Sequence, residues 1–188
     1  HDLRTDAVVT VKVMHRVLND PKSAQRFRRE SEALSTLHHP GIVGYVAHGV
    51  TAHGVAYLAM EWLEGEELRH AIARGPLAIA DVMTILEHTA AALDAAHRVG
   101  LVHRDLKPSN LFLVGGKFNQ LKLLDFGIAR RVTRDASLTA AGVILGTPEY
   151  MAPEQARGQQ DVAPSADVFS AACVAYECLT GRAPFAAA

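Results

Sequence analysis

The sequence predicts an α+β fold, with strands leading the first third of the chain and helices dominating the rest. Three observations carry that reading. Short β-branched apolar runs occupy 7–14, 42–50 and 54–61. Apolar residues at three- and four-residue steps mark 80–99, and a further helix is predicted between Ser165 and Gly181. Composition, at 49% hydrophobic and 21% charged over 188 residues, fits one soluble globular domain or most of one, not a disordered or fibrous segment.

Each element has a local cause. "AVVTVKVM" (7–14) is short and β-branched, hence a strand. The next segment offers Asp20 as N-cap, Pro21 at the first helical position and Phe27, Leu34 and Leu37 as an apolar face, so a helix is expected to end before Pro40. A hairpin follows around the turn "TAHG". Val82, Ile85, Leu86, Thr89, Leu93 and Ala96 then line one face of a core helix that stops at Gly100. "LFLVGGKFNQLKLL" (111–124) reads as two strands joined by a turn, and 128–150, with little periodicity, as a long loop. Ser165 is the expected cap of the last helix, which ends at Gly181.

Bulk properties narrow function only by exclusion. A formal net charge of -1 leaves no basic footprint for nucleic acid. Cys173 and Cys178 lie in an apolar stretch and read as core thiols of a reducing compartment. No apolar run reaches membrane-spanning length, and "HDLRTDAVV" matches neither a signal peptide nor a lipidation site, so this segment is expected to be cytoplasmic. The histidines at 38, 39, 48 and 53 have no cysteine or carboxylate cluster around them and do not read as a metal site. "VGGKF" lacks the spacing of a phosphate loop and reads as a hairpin turn.

The chemistry is concentrated in "HRDLKPSN" (103–110) and "LLDFG" (123–127). Phosphoryl transfer to a hydroxyl needs a carboxylate to orient the acceptor and take its proton, a cation beside the phosphate, and oxygen ligands for metal. Asp105, Lys107 and Asn110 supply these in order, and Asp125, at the end of an apolar strand, suits magnesium, a hard cation held by carboxylate and phosphate oxygens.

On these residues the chain resembles a protein kinase catalytic domain of the eukaryotic-like serine/threonine type, in its bacterial branch. The resemblance implies a two-lobed fold, with 1–62 as a partial small lobe and 63–188 as a partial large lobe. It implies ATP and Mg2+ as cofactors. "VTVKV" resembles the strand whose lysine, here Lys12, contacts the α- and β-phosphates. "FRRESEALSTL" resembles the helix whose glutamate, here Glu30, pairs with that lysine. "YLAMEWLEG" resembles the last small-lobe strand and hinge, with Met60 as gatekeeper and the backbones of Glu61 and Leu63 on adenine. Phe112 would lie beneath the ring, while Asn110 and Asp125 hold metal. "GTPEYMAPE" resembles the end of the activation segment, with Thr147 near the catalytic aspartate and Glu154 closing "APE"; Asp167 matches the aspartate of the buried helix. His103 reads as a brace for the loop.

Lys107 and "GTPEY" resemble the serine/threonine rather than the tyrosine branch, implying Ser or Thr hydroxyls of proteins as acceptors. Arg104 beside Asp105 marks the subtype switched by activation-loop phosphate. Thr139 is the candidate phosphosite, with Ser137 second and Arg104 and Arg130 as the partners of Thr139; the alternative for Thr139 is an unmodified loop hydroxyl. Self-association for autophosphorylation is compatible with this pattern.

The chain also departs from the family. Only eleven residues precede Lys12 and none is glycine, so the glycine-rich phosphate loop is missing, and the helices expected beyond "TGRAPF" are absent. The resemblance therefore implies a domain clipped at both ends, slow in catalysis, marginally stable, and with Glu154 deprived of its arginine. A non-catalytic kinase-like scaffold that binds partners without turnover is the second reading. A small-molecule phosphotransferase is the third, disfavoured by Lys107 and "GTPEYMAPE". The parent protein is compatible with a membrane anchor lying outside this segment.

Overall fold

A computed structural model describes residues 1–3, 5–17, 21–126, 148–159 and 161–185. The chain opens with β1 (Val9–Val17), α1 (Pro21–Thr36), β2 (Tyr45–Val50) and β3 (Val55–Glu61). These strands form an antiparallel sheet in the order β1-β3-β2, with Lys12 opposite Leu58 and Tyr45 opposite Met60. Alternation decides what β1 offers to each side: Val11 and Val13 are half exposed, so Lys12 points the other way. On α1, Phe27, Ser31 and Leu34 are buried at four- and three-residue steps, and this face packs on the sheet.

The second part begins with β4 (Gly65–Glu67), α2 (Leu68–Ala73) and the long α3 (Ile79–Arg98). Then come a 3-10 turn at Pro108–Asn110, β5 (Leu111–Val114) and β6 (Leu121–Leu123). A second 3-10 turn, Pro148–Tyr150, precedes α4 (Pro153–Ala156) and α5 (Ser165–Thr180). The second sheet is antiparallel in the order β4-β5-β6, with Phe112 opposite Lys122. Gly65 is required where β4 meets β5. Its φ is 146°, and a Cβ there would lie 2.0 Å from the Leu113 carbonyl oxygen.

The two sheets are joined by backbone. Leu123 N–H donates to the Gly41 carbonyl at 2.8 Å and Val43 N–H to the Leu123 carbonyl at 3.0 Å, a short parallel bridge between the post-α1 segment and β6. One apolar cluster runs from Phe27 and Leu34 through Leu58 and Met60 to Leu111, Leu123, Ile85, Leu93 and Val174.

Most elements lie where the sequence places them, and the exceptions have causes. The strand expected from 42 begins at Tyr45, because Ile42 and Val43 bridge to Leu123 instead. Ser165 is the first helical residue rather than the cap: Pro164 already has helical angles (φ -50°, ψ -29°), and the first turn bonds to Ala163 and Pro164 carbonyls. Gly181 closes α5 in the left-handed region (φ 73°), donating to Glu177 O at 2.7 Å. Asp20, the expected cap of α1, lies outside the described residues, as does most of the expected loop.

Candidate active site

The catalytic segment is built on a buried carboxylate. Asp167 in α5 is fully buried, and its two oxygens accept the His103 and Arg104 N–H groups, each at 2.8 Å. His97 Nε2 of α3 lies 2.8 Å from the same carboxylate. These bonds hold Arg104 in the left-handed region (φ 63°), a conformation that costs an ordinary residue about 1–2 kcal/mol. Gln155 of α4, itself buried, donates to the Arg104 carbonyl at 2.9 Å and so ties "APEQ" to the same turn.

His103 is the second brace. Its Nε2 lies 2.7 Å from the Leu124 carbonyl and its Nδ1 accepts from Asp105 N–H at 3.3 Å, which together assign a neutral ring protonated on Nε2. Burial pushes its pKa down, against the opposing pull of Asp167. The Phe126 ring packs on it at 4.9 Å between centroids. The reading of His103 as a brace fits this geometry. Asp105 and Asp125 are thereby set by the two partners of one imidazole.

Asp105 is anchored from its own turn. Asn110 Nδ2 donates to the Asp105 carbonyl at 2.7 Å and reaches its Oδ2 at 3.2 Å; Lys107 Nζ is 3.4 Å from that same Oδ2. Asp125 follows β6 at φ 50°, after Leu124 N–H donates to the Asn110 carbonyl at 2.8 Å. Lys12 reaches across the cleft, placing Nζ 2.8 Å from Asp125 Oδ1. Asp105, Lys107 and Asn110 thus form one polar group and Lys12 with Asp125 another, the two tied through the Leu124–Asn110 backbone bond and the His103 ring.

The remaining expected site residues fall into two groups. Met60 is buried in the core beside the cleft, Leu63 packs partly against it, and Phe112 is half-buried on β5. Glu30 is half-buried on α1, three residues beyond Phe27. The structure gives Lys12 to Asp125. Arg130, Ser137, Thr139 and Thr147 lie outside the described residues. Two features had no counterpart in the sequence reading. One is the tie of His97 to Asp167. The other is the Glu61 side chain, whose Oε1 accepts from Gly44 N–H at 2.6 Å and Lys122 Nζ at 2.5 Å.

The donor set fits magnesium. Asn110 spends its amide NH2 on Asp105, leaving its carbonyl oxygen as a ligand atom, and Asp125 supplies a partly exposed carboxylate. Magnesium needs few protein ligands beside phosphate oxygens. Among the described residues no cluster of three or more His, Cys, Asp or Glu competes as a metal site. Cys173 and Cys178 are buried, and burial raises both thiols, Cys178 to about 12, so they stay protonated core residues.

Comparison with known proteins agrees with this architecture. The family model described as protein kinase domain matches residues 1–188. The chain belongs to the protein kinase family. Serine/threonine-protein kinase PknA of Mycobacterium tuberculosis is 41% identical over 191 residues, covering 98% of this chain and 43% of that protein. Pkn3 of Myxococcus xanthus is 40% identical, covering 97% and 35% respectively. The chain therefore spans less than half the length of these relatives. Among solved structures, the Mycobacterium tuberculosis PknI kinase domain superposes with a TM-score of 0.74 at 30% identity, over 94% of this chain and 65% of that one. Rad53 in complex with AMP-PNP superposes with a TM-score of 0.75 at 27% identity, over 96% and 43%. The two-lobed protein-kinase fold expected from the sequence is the fold observed.

Proposed function

We propose that this chain is the catalytic part of a serine/threonine protein kinase, transferring the γ-phosphoryl group of ATP to Ser or Thr hydroxyls of proteins. The observation that carries it is the pair of polar groups, Asp105 with Lys107 and Asn110, and Asp125 with Lys12, tied together through Leu124 and His103, in which each charge has a role in that one reaction.

Asp105 orients the acceptor hydroxyl and takes its proton as the acceptor oxygen bonds to phosphorus and the bond to the departing ADP oxygen breaks. Lys107 stands beside the Asp105 carboxylate and steadies the transferring phosphoryl group. Lys12, released from Asp125, meets the α- and β-phosphates, with Glu30 aligning it. Met60, the Glu61 and Leu63 backbones and Phe112 bound the adenine site. Asn110 and Asp125 would hold Mg2+, which supplies positive charge against the phosphate oxygens when bound. The boundary between the lobes falls at Trp62, giving 1–62 and 63–188.

Regulation in this reading comes from phosphate on Thr139 or Ser137, paired with Arg104 and Arg130, with Thr147 assigned a place near the catalytic aspartate by the family resemblance alone; two associating copies would supply the transfer in trans. The cofactor places catalysis on the cytoplasmic side. Among the described residues no helix is long and apolar enough to cross a membrane. The test is transfer of labelled γ-phosphate to a Ser/Thr peptide library with magnesium. Asp105→Asn should slow transfer by about 10²- to 10⁴-fold, and Asp125→Ala should abolish it. Full activity in Asp125→Ala, or label on tyrosine, overturns the assignment.

A further inference from the structure

The Glu61 side chain makes a second connection between the sheets, apart from the reacting groups. Glu61 ends β3, at the start of the segment that leads from the first sheet to the second. Its Oε1 takes Lys122 Nζ at 2.5 Å and Gly44 N–H at 2.6 Å, and its own N–H donates to the Gly44 carbonyl at 2.8 Å. Lys122 lies on β6, three residues before Asp125, and also reaches the Ile42 carbonyl at 3.4 Å. The pair is half sheltered, at 36% exposure for Glu61 and 21% for Lys122. Gly44 is shaped around it: a Cβ there would meet the Glu61 carboxylate at 3.2 Å. Three segments, the end of β3, the 41–44 run and β6, therefore converge on one carboxylate.

Geometry gives the convergence a consequence. Residues 41–43 are fixed to β6 by the bridge to Leu123, so they move with the second sheet. Glu61 moves with the first. Swinging one sheet away from the other would pull Oε1 off Lys122 Nζ and strain the Gly44 bonds, so this contact opposes separation of the sheets. Lys122 stands opposite Phe112 on β5, so the contact lies beside the nucleotide site.

We infer that Glu61, Lys122 and the Gly44 N–H form a latch across the hinge that gates passage of nucleotide into and out of the cleft. The inference rests on the nucleotide-binding reading above. Glu61 and Lys122 are positioning residues here: their side chains act on the angle between the sheets. A latch raises the barrier to opening, so removing it accelerates entry and exit together and leaves the equilibrium affinity nearly unchanged. A structural residue whose loss merely damages the site would weaken affinity without speeding entry.

The test is stopped-flow mixing of the chain with a fluorescent ADP analogue and magnesium. Trp62, next to Glu61 and the chain's only tryptophan, gives an independent signal from the hinge. Lys122→Met should raise both association and dissociation rates by about fivefold. Lys122→Arg should keep the original rates. High salt should accelerate the unmodified chain and leave Lys122→Met unaffected. Unchanged rates in folded Lys122→Met, or a lost affinity without faster entry, overturn the latch. Failure of the unmodified chain to bind the analogue overturns instead the nucleotide reading on which it rests.

Discussion

Lys12 Nζ lies 2.8 Å from Asp125 Oδ1, so a cation suited to phosphate and an anion suited to magnesium neutralise each other across the cleft. Both side chains are about a third exposed, and solvent screening keeps their mutual attraction modest. In the proposed reaction nucleotide and metal each take one partner from this pair, so the ion pair competes with both. Lys12→Met should weaken ATP binding by roughly tenfold or more while tightening binding of Mn2+ alone, since the carboxylate loses its internal competitor. Paramagnetic titration with Mn2+, with and without nucleotide, reads both effects. Parallel losses of metal and nucleotide binding would contradict the competition.

Asp167 supports the catalytic turn from beneath. Removing its carboxylate leaves two buried N–H groups, those of His103 and Arg104, without acceptors and releases a strained backbone. Asp167→Ala should cost about 3–5 kcal/mol of stability. Asp167→Asn keeps one acceptor oxygen but turns an NH2 toward a donor, so it should recover only part of that. Urea denaturation of the three proteins measures the order.

The buried imidazole of His103 gives stability a definite pH dependence. Burial lowers its pKa in the fold below its ordinary 6.5, so the unfolded chain takes up this proton first as pH falls. Its contribution is complete above pH 6.5 and is lost as pH drops below that value toward the folded pKa, at up to about 1.4 kcal/mol per pH unit. Comparing stability at pH 7.5 and 5.5 with that of His103→Gln isolates it. The variant should show a shallower fall, and equal slopes would mean that the ring accepts its proton within the fold.

Gly65 offers a test of the second sheet. Any side chain there meets the Leu113 carbonyl in a backbone region that L-residues avoid. Gly65→Ala should destabilise the chain by roughly 3 kcal/mol or more and lower its melting temperature. Gly75→Ala, also at positive φ but with nothing near its Cβ, should cost less.

The legible parts of this molecule were those written in local pattern. Strand alternation around Lys12, the three- and four-residue steps of α3, and Gly100 and Gly181 as stops all follow from neighbours within a few residues. The motif residues around Asp105 and Asp125 were legible as chemistry because their order matched one reaction. What escaped was long-range. Nothing near Glu61 announces that its carboxylate will meet Lys122, and nothing near His97 announces Asp167, 70 residues away. The diversion of Ile42 and Val43 from β2 to Leu123 is of the same kind. Ser165 failed as a cap for a local reason, because Pro164 had already entered the helix.

The bridge from Gly41 and Val43 to Leu123 also orders events during synthesis. A nascent chain that has emerged only through Glu61 holds β1, β2 and β3, yet the carboxylate's ammonium partner arrives 61 residues later. Until β6 leaves the ribosome, Gly41 and Val43 lack their backbone partners on Leu123. Closure of the bridge and of the Glu61–Lys122 contact is therefore timed by translation of residues 62–123 rather than by the sequence of the first sheet.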